Sequence, residues 1–245
     1  MSRAAARGLF GAVLLVAVWE GCARGLHLPA YTLPAFSEIL VSVWDQRVAL
    51  LRAGGVTLAE AVSGYAIGSL IGIALAVLLA VLPWTRRSVM PCLLAINSVP
   101  VAAFSPLVLL WFGLGWSSKI VMVALAVGFT VFLSALAGFD RVDRRSVGLL
   151  RSFGAGPLAI LWRLRLPTAL PLIAAGMRVA TVRSLIVAIV TEMLGAYGGL
   201  GWIIYQAVVQ IDFVQVWSAI FVASAISLAF FGLIGAAERR IVFWK

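Results

Sequence analysis

Long apolar runs alternate along this chain with short polar stretches that carry arginine. A helix that crosses a bilayer needs about 20 mostly apolar residues. Six runs approach or meet that length, at residues 8–22, 56–82, 89–112, 118–138, 172–194 and 214–237. Between the first two the pattern changes. Pro29 and Pro34 mark an extended stretch. Phe36, Ile39, Leu40, Val43, Trp44, Val48 and Leu51 then recur at helical spacing beside Glu38, Asp45, Arg47 and Arg52. This predicts an amphipathic helix along the membrane surface. The whole pattern predicts an all-α integral membrane protein with six transmembrane helices. Residues 1–245 read as a single transmembrane domain, without an internal repeat or a linker.

Positive residues give the spans a direction. With the first span entering from inside, thirteen Arg and Lys fall in the inner segments: Arg3 and Arg7, Arg86 and Arg87, six between Arg141 and Arg165, then Arg239, Arg240 and Lys245. Four fall outside, Arg24, Arg47, Arg52 and Lys119. Positive residues collect on the cytoplasmic side, so both termini are expected there. Arg3 and Arg7 before an apolar run also fit a signal peptide. Trp19 and Glu20 do not suit a lipoprotein cleavage site before Cys22, and no small-x-small site stands out. A retained first span is the expectation.

Composition narrows the chemistry. The 245 residues are 63% hydrophobic and 11% charged, with a mean hydropathy of +1.10. Soluble domains carry roughly a quarter charged residues, so a soluble enzyme, a disordered chain and a disulfide scaffold are excluded. The net charge of +10 is spread between apolar segments, so no nucleic-acid partner is expected. The single histidine, His27, and two cysteines, Cys22 and Cys92, leave no metal cluster. Lys119 and Lys245 follow no glycine and precede no Ser or Thr, so there is no phosphate-binding G-x-x-x-x-G-K-[ST] loop. Catalytic residues, metal and cofactor are all expected to be none in this chain. If ATP is used, another chain hydrolyses it.

The inner segment 139–171 is far longer than the one near Arg86. Asp143 to Phe153 is arginine-rich, with apolar positions interleaved. Gly154-Ala155-Gly156 is a break. Pro157 suits the first turn of a helix, where its missing N–H is harmless. Leu158, Leu161 and Trp162 then share one face, and Pro167 and Pro171 are expected to end the segment before the next span. A short surface helix with an apolar face wants a partner or lies among lipid headgroups.

Ionisable residues inside spans are functional candidates by default. Glu20 is near the outer end of the first span and Arg178 can reach the inner headgroups. Arg183 lies near the middle of the fifth span. Glu192 follows nine residues on, about 13–14 Å along a helix, too far for direct pairing. Asn97, Ser98 and Pro100, with Pro106 beyond, break the third span, and unpaired backbone is tolerated in lipid where it lines a cavity. Asn97, Ser98, Pro100, Arg183 and Glu192 are therefore candidate path residues. Gly64, Gly68 and Gly72 follow a small-xxx-small pattern that predicts close helix packing.

Gly154, nine residues, then Leu164-x-Leu166-Pro167 resembles the cytoplasmic loop of binding-protein-dependent ABC importer permeases. NSVPVAAFSPLVLLWFGLGWSSK (97–119), TEMLGAYGGLGWIIYQA (191–207) and ERRIVFW (238–244) resemble the permeases of the nitrate, sulfonate, taurine and vitamin-precursor group. The resemblance covers nearly the whole chain and is weakest over the first 35 residues. It implies the type I importer permease fold. It also implies a loop that docks on a separate ATPase through Gly154, Ala155, Leu158, Leu161, Trp162, Leu166 and Pro167. Gly198, Gly199, Leu200 and Gly201 would form the outer gate region. Implied partners are a second permease copy, two ATP-binding cassette subunits carrying ATP and Mg, an extracytoplasmic substrate-binding protein and the lipid of a bacterial inner membrane. The family's Glu-Ala-Ala is replaced here by Gly148, Leu149 and Leu150. The loop is closer to the thiamine-pyrimidine and riboflavin branch, while Arg183 would suit an anion such as a sulfonate. The alternative is a self-sufficient secondary carrier or channel, although no repeated halves are evident. An intramembrane enzyme lacks a catalytic constellation within the spans.

Overall fold

The computed structural model describes residues 3–27 and 29–243, and among these every regular element is helical. Helix α1 spans Arg3–Gly25 and α2 spans Phe36–Asp45. Helix α3 runs over Arg47–Val81, α4 over Pro83–Ser98, α5 over Val101–Phe112 and α6 over Trp116–Asp140. Helix α7 spans Arg144–Ser152 and α8 spans Pro157–Ile160. A π turn over Leu161–Arg165 joins α8 to α9, Leu166–Leu194. Helices α10, Leu200–Val209, and α11, Phe213–Ile241, complete the chain.

Helices α3, α6 and α9 form the centre. Gly64 and Gly68 of α3 lie so close to α6 that an added Cβ would stand 2.5 Å from Val123 Cβ and 2.5 Å from Ala124 O, respectively. Gly72 meets the Gly128 backbone in the same way. The small-residue stripe thus lets two backbones touch, which in lipid is a main source of helix association. Gly138 and Gly176 repeat the arrangement between α6 and α9, against Ala169 and Ser134. Tyr65, Val123, Val127, Leu185 and Phe230 fill the middle of the bundle. Trp19, Phe36, Trp217 and Phe221 lock α1, α2 and α11 together, with Trp19 and Trp217 ring centroids 4.9 Å apart. Glu20, near the outer end of the first span, accepts from Ser37 N at 3.1 Å and Ser37 Oγ at 2.7 Å, and so holds the start of α2.

Three expectations are corrected and one helix is added. The surface helix stops at Asp45; Val48, Leu51 and Arg52 belong to α3, whose 35 residues reach about 52 Å, longer than the ~30 Å hydrocarbon core. The third span is no single helix. Val99 is extended (φ −80°, ψ 128°) ahead of Pro100, which disfavours helix at the residue before it, and α4 and α5 meet at 90°. Pro167 and Pro171 do not end a segment: Pro157–Leu194 runs on as 38 helical residues. The π turn makes this possible. Its wider ring bonds Leu166 N to Leu161 O just before the proline that lacks a donor, and Thr168 Oγ1 donates to Leu164 O at 2.7 Å. Helix α10 was not anticipated; ten residues of apolar sequence behind a glycine turn carry no spanning signal.

The connections gather at two ends. At the arginine-rich end, Arg86 donates to both Asp140 oxygens at 2.7 Å, and Arg165 donates to Ala80 O. These contacts set the α3–α4 turn beside the α6–α9 connection. At the opposite end, Gln215 donates to Gln46 at 2.8 Å, and α3, α6, α9 and α10 converge on one turn, Gly195–Gly199.

Candidate functional site

The elbow between α7 and α8 stands out from the bundle. Asp143 caps α7, accepting from Arg145 N at 3.0 Å. Gly154 ends it at φ +81°. Gly154 N bonds Arg151 O at 2.9 Å and Ala155 N bonds Leu150 O at 3.0 Å, the paired bonds of a Schellman stop. Nothing lies within 4 Å of a Cβ built on Gly154, so the left-handed backbone, and not crowding, calls for glycine. Pro157 opens α8 as expected.

Leu149, Phe153, Leu158 and Trp162 are 59%, 79%, 65% and 66% exposed. All four belong to the α7–α8 elbow, whose sequence also carries the exposed Arg144, Arg145, Arg151 and Arg163. Leu161 does not share the face of Leu158 and Trp162, which corrects the helical-spacing argument. The π turn rotates it inward, 5% exposed, against the cluster of Phe132, Phe139 and Ile173. Leu166 is partly buried on that same cluster, and Gly154 and Pro167 are exposed.

The candidate path residues are not brought together within one chain. Asn97 lines an apolar cavity of about 370 Å³ inside the α4–α5 bend, with Ile67, Ile71, Phe104 and Phe129. Ser98 Oγ turns back on Ala95 O at 2.7 Å, and Pro100 sits exposed at the corner. Arg183 is exposed, and its Nη1 reaches Thr130 Oγ1 at 3.3 Å. Arg178 is a tether: it lies 4.3 Å over the Phe231 ring and 3.8 Å from Glu238.

Glu192 is fully buried. It accepts from Thr57 Oγ1 at 2.8 Å and from Gly201 N at 2.7 Å. Thr57 Oγ1 in turn accepts from Leu200 N at 2.9 Å. Gly199, φ +95°, precedes α10 and packs directly on the Glu192 carboxyl, and Leu200 and Gly201 are buried beneath it. Gly198 lines an open groove of about 840 Å³ with Arg52, Tyr197 and Trp202.

Three residues of this region were missed in the sequence. Glu60 is an ionisable residue inside the second span, and the rule that flagged Glu192 would have flagged it. It is 3% exposed beside Glu192. Lys119, one of the four positive residues expected on the outer side, is fully buried, and its Nζ donates to Leu114 O and Gly195 O. Thr57 gave no signal at all, because its role depends on a partner 135 positions away.

Comparison with known proteins places the chain in a family. Residues 68–243 match the family described as binding-protein-dependent transport system inner membrane component. The chain belongs to that family and is the membrane permease subunit of an ABC importer. It is 31% identical over 230 residues to a probable ABC transporter permease protein of Haemophilus influenzae, covering 94% of each chain. It is 30% identical over 234 residues to the formylaminopyrimidine transport permease protein ThiX of Halalkalibacterium halodurans, covering 95% of this chain and 93% of that one. The fold matches a bacterial alginate ABC transporter, solved with a periplasmic protein that carries an alginate pentasaccharide. The TM-score is 0.67 at 17% identity, over 96% of this chain and 94% of that one. The type I importer permease fold expected from the resemblance is therefore the one found.

Proposed function

We propose that two copies of this chain enclose a path for a small organic solute and that a separate pair of ATPase subunits drives it. The arginine-rich end faces the cytoplasm, since positive residues concentrate there. Each α7–α8 elbow seats in one ATPase chain, which carries the ATP and Mg. The Gly195–Gly199 end receives a substrate-binding protein. Closure of the ATPase pair moves the elbows together and turns the bundles as rigid bodies. The permease makes and breaks no bonds of the solute.

The observation that carries this reading is the elbow. Four large apolar side chains, each more than half exposed, sit together in the short segment between the long apolar helices α6 and α9, at the arginine-rich end. Arg183, exposed at mid-span with one long polar contact, supports a wet path or a copy-to-copy interface, because lipid is a costly place for it. The likeness to ThiX supports a thiamine-pyrimidine precursor as the substrate; the sequence resemblance widens the class to riboflavin-like precursors, sulfonates, taurine and nitrate.

Purification from native membrane in mild detergent tests the docking claim. An ATPase chain is expected in equal amount, and Trp162→Asp is expected to reduce its recovery at least tenfold while the permease itself remains folded. Recovery of the permease alone, together with uptake in ATP-free vesicles, would restore the self-sufficient carrier.

A further inference from the structure

Helix α10 begins without a cap of its own. Its N-cap position is Gly199, which has no side chain to offer, and the first N–H groups of a helix need acceptors. Those acceptors come from two other helices: Thr57 Oγ1 of α3 takes Leu200 N–H at 2.9 Å, and the Glu192 carboxylate of α9 takes Gly201 N–H at 2.7 Å. A buried carboxylate at a helix N-terminus is also favoured by the helix dipole. Lys119, from the first turn of α6, fastens the other side of the same turn through Gly195 O. The turn is thus held from three helices by groups that are all fully buried.

One oxygen in the cluster is left over. Glu60 Oε2 is buried and has no hydrogen-bond partner, while the Glu60 carboxyl lies against that of Glu192 and within electrostatic reach of Lys119. If the turn lifts, Glu192 loses Gly201 N–H and Lys119 loses Gly195 O. The freed ammonium then has an acceptor waiting, the unpartnered oxygen of Glu60. The same four side chains therefore have a second set of contacts open to them, which is what a switch between discrete states requires.

We propose that Thr57, Glu60, Lys119 and Glu192 form a two-position latch that holds the Gly195–Gly199 turn shut over α10 and exchanges partners when the path opens at that end. These are positioning residues, acting on the gate through the turn. The proposal rests on the reading above in taking this end as the outer one and in coupling it to a separate ATPase.

Accessibility of a cysteine in the turn tests it. Ala196→Cys, at a buried site, is placed in a chain with Cys22 and Cys92 replaced by Ser. The complex with its ATPase is reconstituted in vesicles of both orientations and treated with a membrane-impermeant maleimide. Thr57→Val and Glu192→Gln are expected to raise the labelling rate at least tenfold without nucleotide, and to raise ATPase activity several-fold without a binding protein. Thr57→Ser, which keeps the hydroxyl, is expected to restore both. Glu60→Gln removes the charge that the lifted state uses but keeps a hydrogen-bonding group beside Glu192. It is expected to leave the closed state slow to label and to reduce the rise in labelling with ATP and vanadate at least fivefold. Unchanged labelling in Thr57→Val and Glu192→Gln chains that elute as intact complexes would overturn the latch, as would a normal vanadate response in Glu60→Gln. Labelling confined to the cytoplasmic face would instead overturn the orientation and leave the latch standing.

Discussion

Gly154 and Gly199 both hold positive φ, +81° and +95°, and each lies between two helices. Their surroundings differ in every other respect. The Gly154 turn is closed by its own backbone, through Arg151 O and Leu150 O, and has open space on its side-chain face. The Gly199 turn closes through side chains of α3, α6 and α9 and is packed against a carboxyl group. One turn is locally complete and presents apolar surface outward. The other is incomplete until the bundle assembles round it. A turn of the first kind serves as a rigid handle for another chain. A turn of the second kind reports on, and responds to, how its own helices are arranged.

The contrast can be broken most forcefully at Gly199. Gly199→Ala must place a Cβ on extended backbone at positive φ (φ 95°, ψ 170°), which costs about 1–3 kcal/mol, and must also displace the Glu192 carboxyl, an overpacking cost of about 1–3 kcal/mol. A loss of roughly 2–6 kcal/mol in permease stability is expected from the two together. Thermal unfolding of the purified chain in detergent measures it, and a melting curve equal to the wild type would mean that the turn is not packed on Glu192 as described. Gly154→Ala meets only the conformational cost, about 1–2 kcal/mol. Most of that loss should appear as weaker recovery of the ATPase chain and little of it as lower permease melting. An equal effect on both would erase the distinction between the two turns.

What the sequence made legible follows the range of the physics involved. Helices α6 and α11 lie within a few residues of the expected spans, because a long apolar run between polar stretches is a local signal. The α3 glycine stripe was readable for the same reason: period four is a property of one segment. The α7–α8 break was readable from Gly154 and Pro157, whose backbone limits are their own. The bend at Val99 was half readable, since Pro100 announces a break but not its 90° angle. The π turn was not readable; it lets Pro167 and Pro171 continue a helix that each alone argues against, and it moves Leu161 to the inner side. The latch was least legible. Lys119 follows a polar Ser-Ser pair and looks solvated, and Thr57 is one hydroxyl among many. Their meaning comes from residues brought together from three helices, and no window along the chain contains them.

The smallest effect is expected at Arg86, and it sharpens the comparison between the two ends. The Arg86–Asp140 pair is bidentate, with both distances 2.7 Å, but its side chains are 41% and 49% exposed. In water such a pair gains little over the solvation that each partner gives up, typically 0–1 kcal/mol, and salt screens it further. Arg86→Ala should therefore lower melting by less than about 1 kcal/mol, and the difference from wild type should shrink as ionic strength rises. Helix α4 buries none of its residues, so this bridge and Arg165 on Ala80 O are main polar contacts at the α3–α4 turn. The bridge then orients that turn without setting the stability of the bundle, as solvent-exposed charges at the arginine-rich end should. A loss above about 2 kcal/mol, larger than an exposed pair supplies, would mean that the site is dry in the assembled importer and that a second chain covers it.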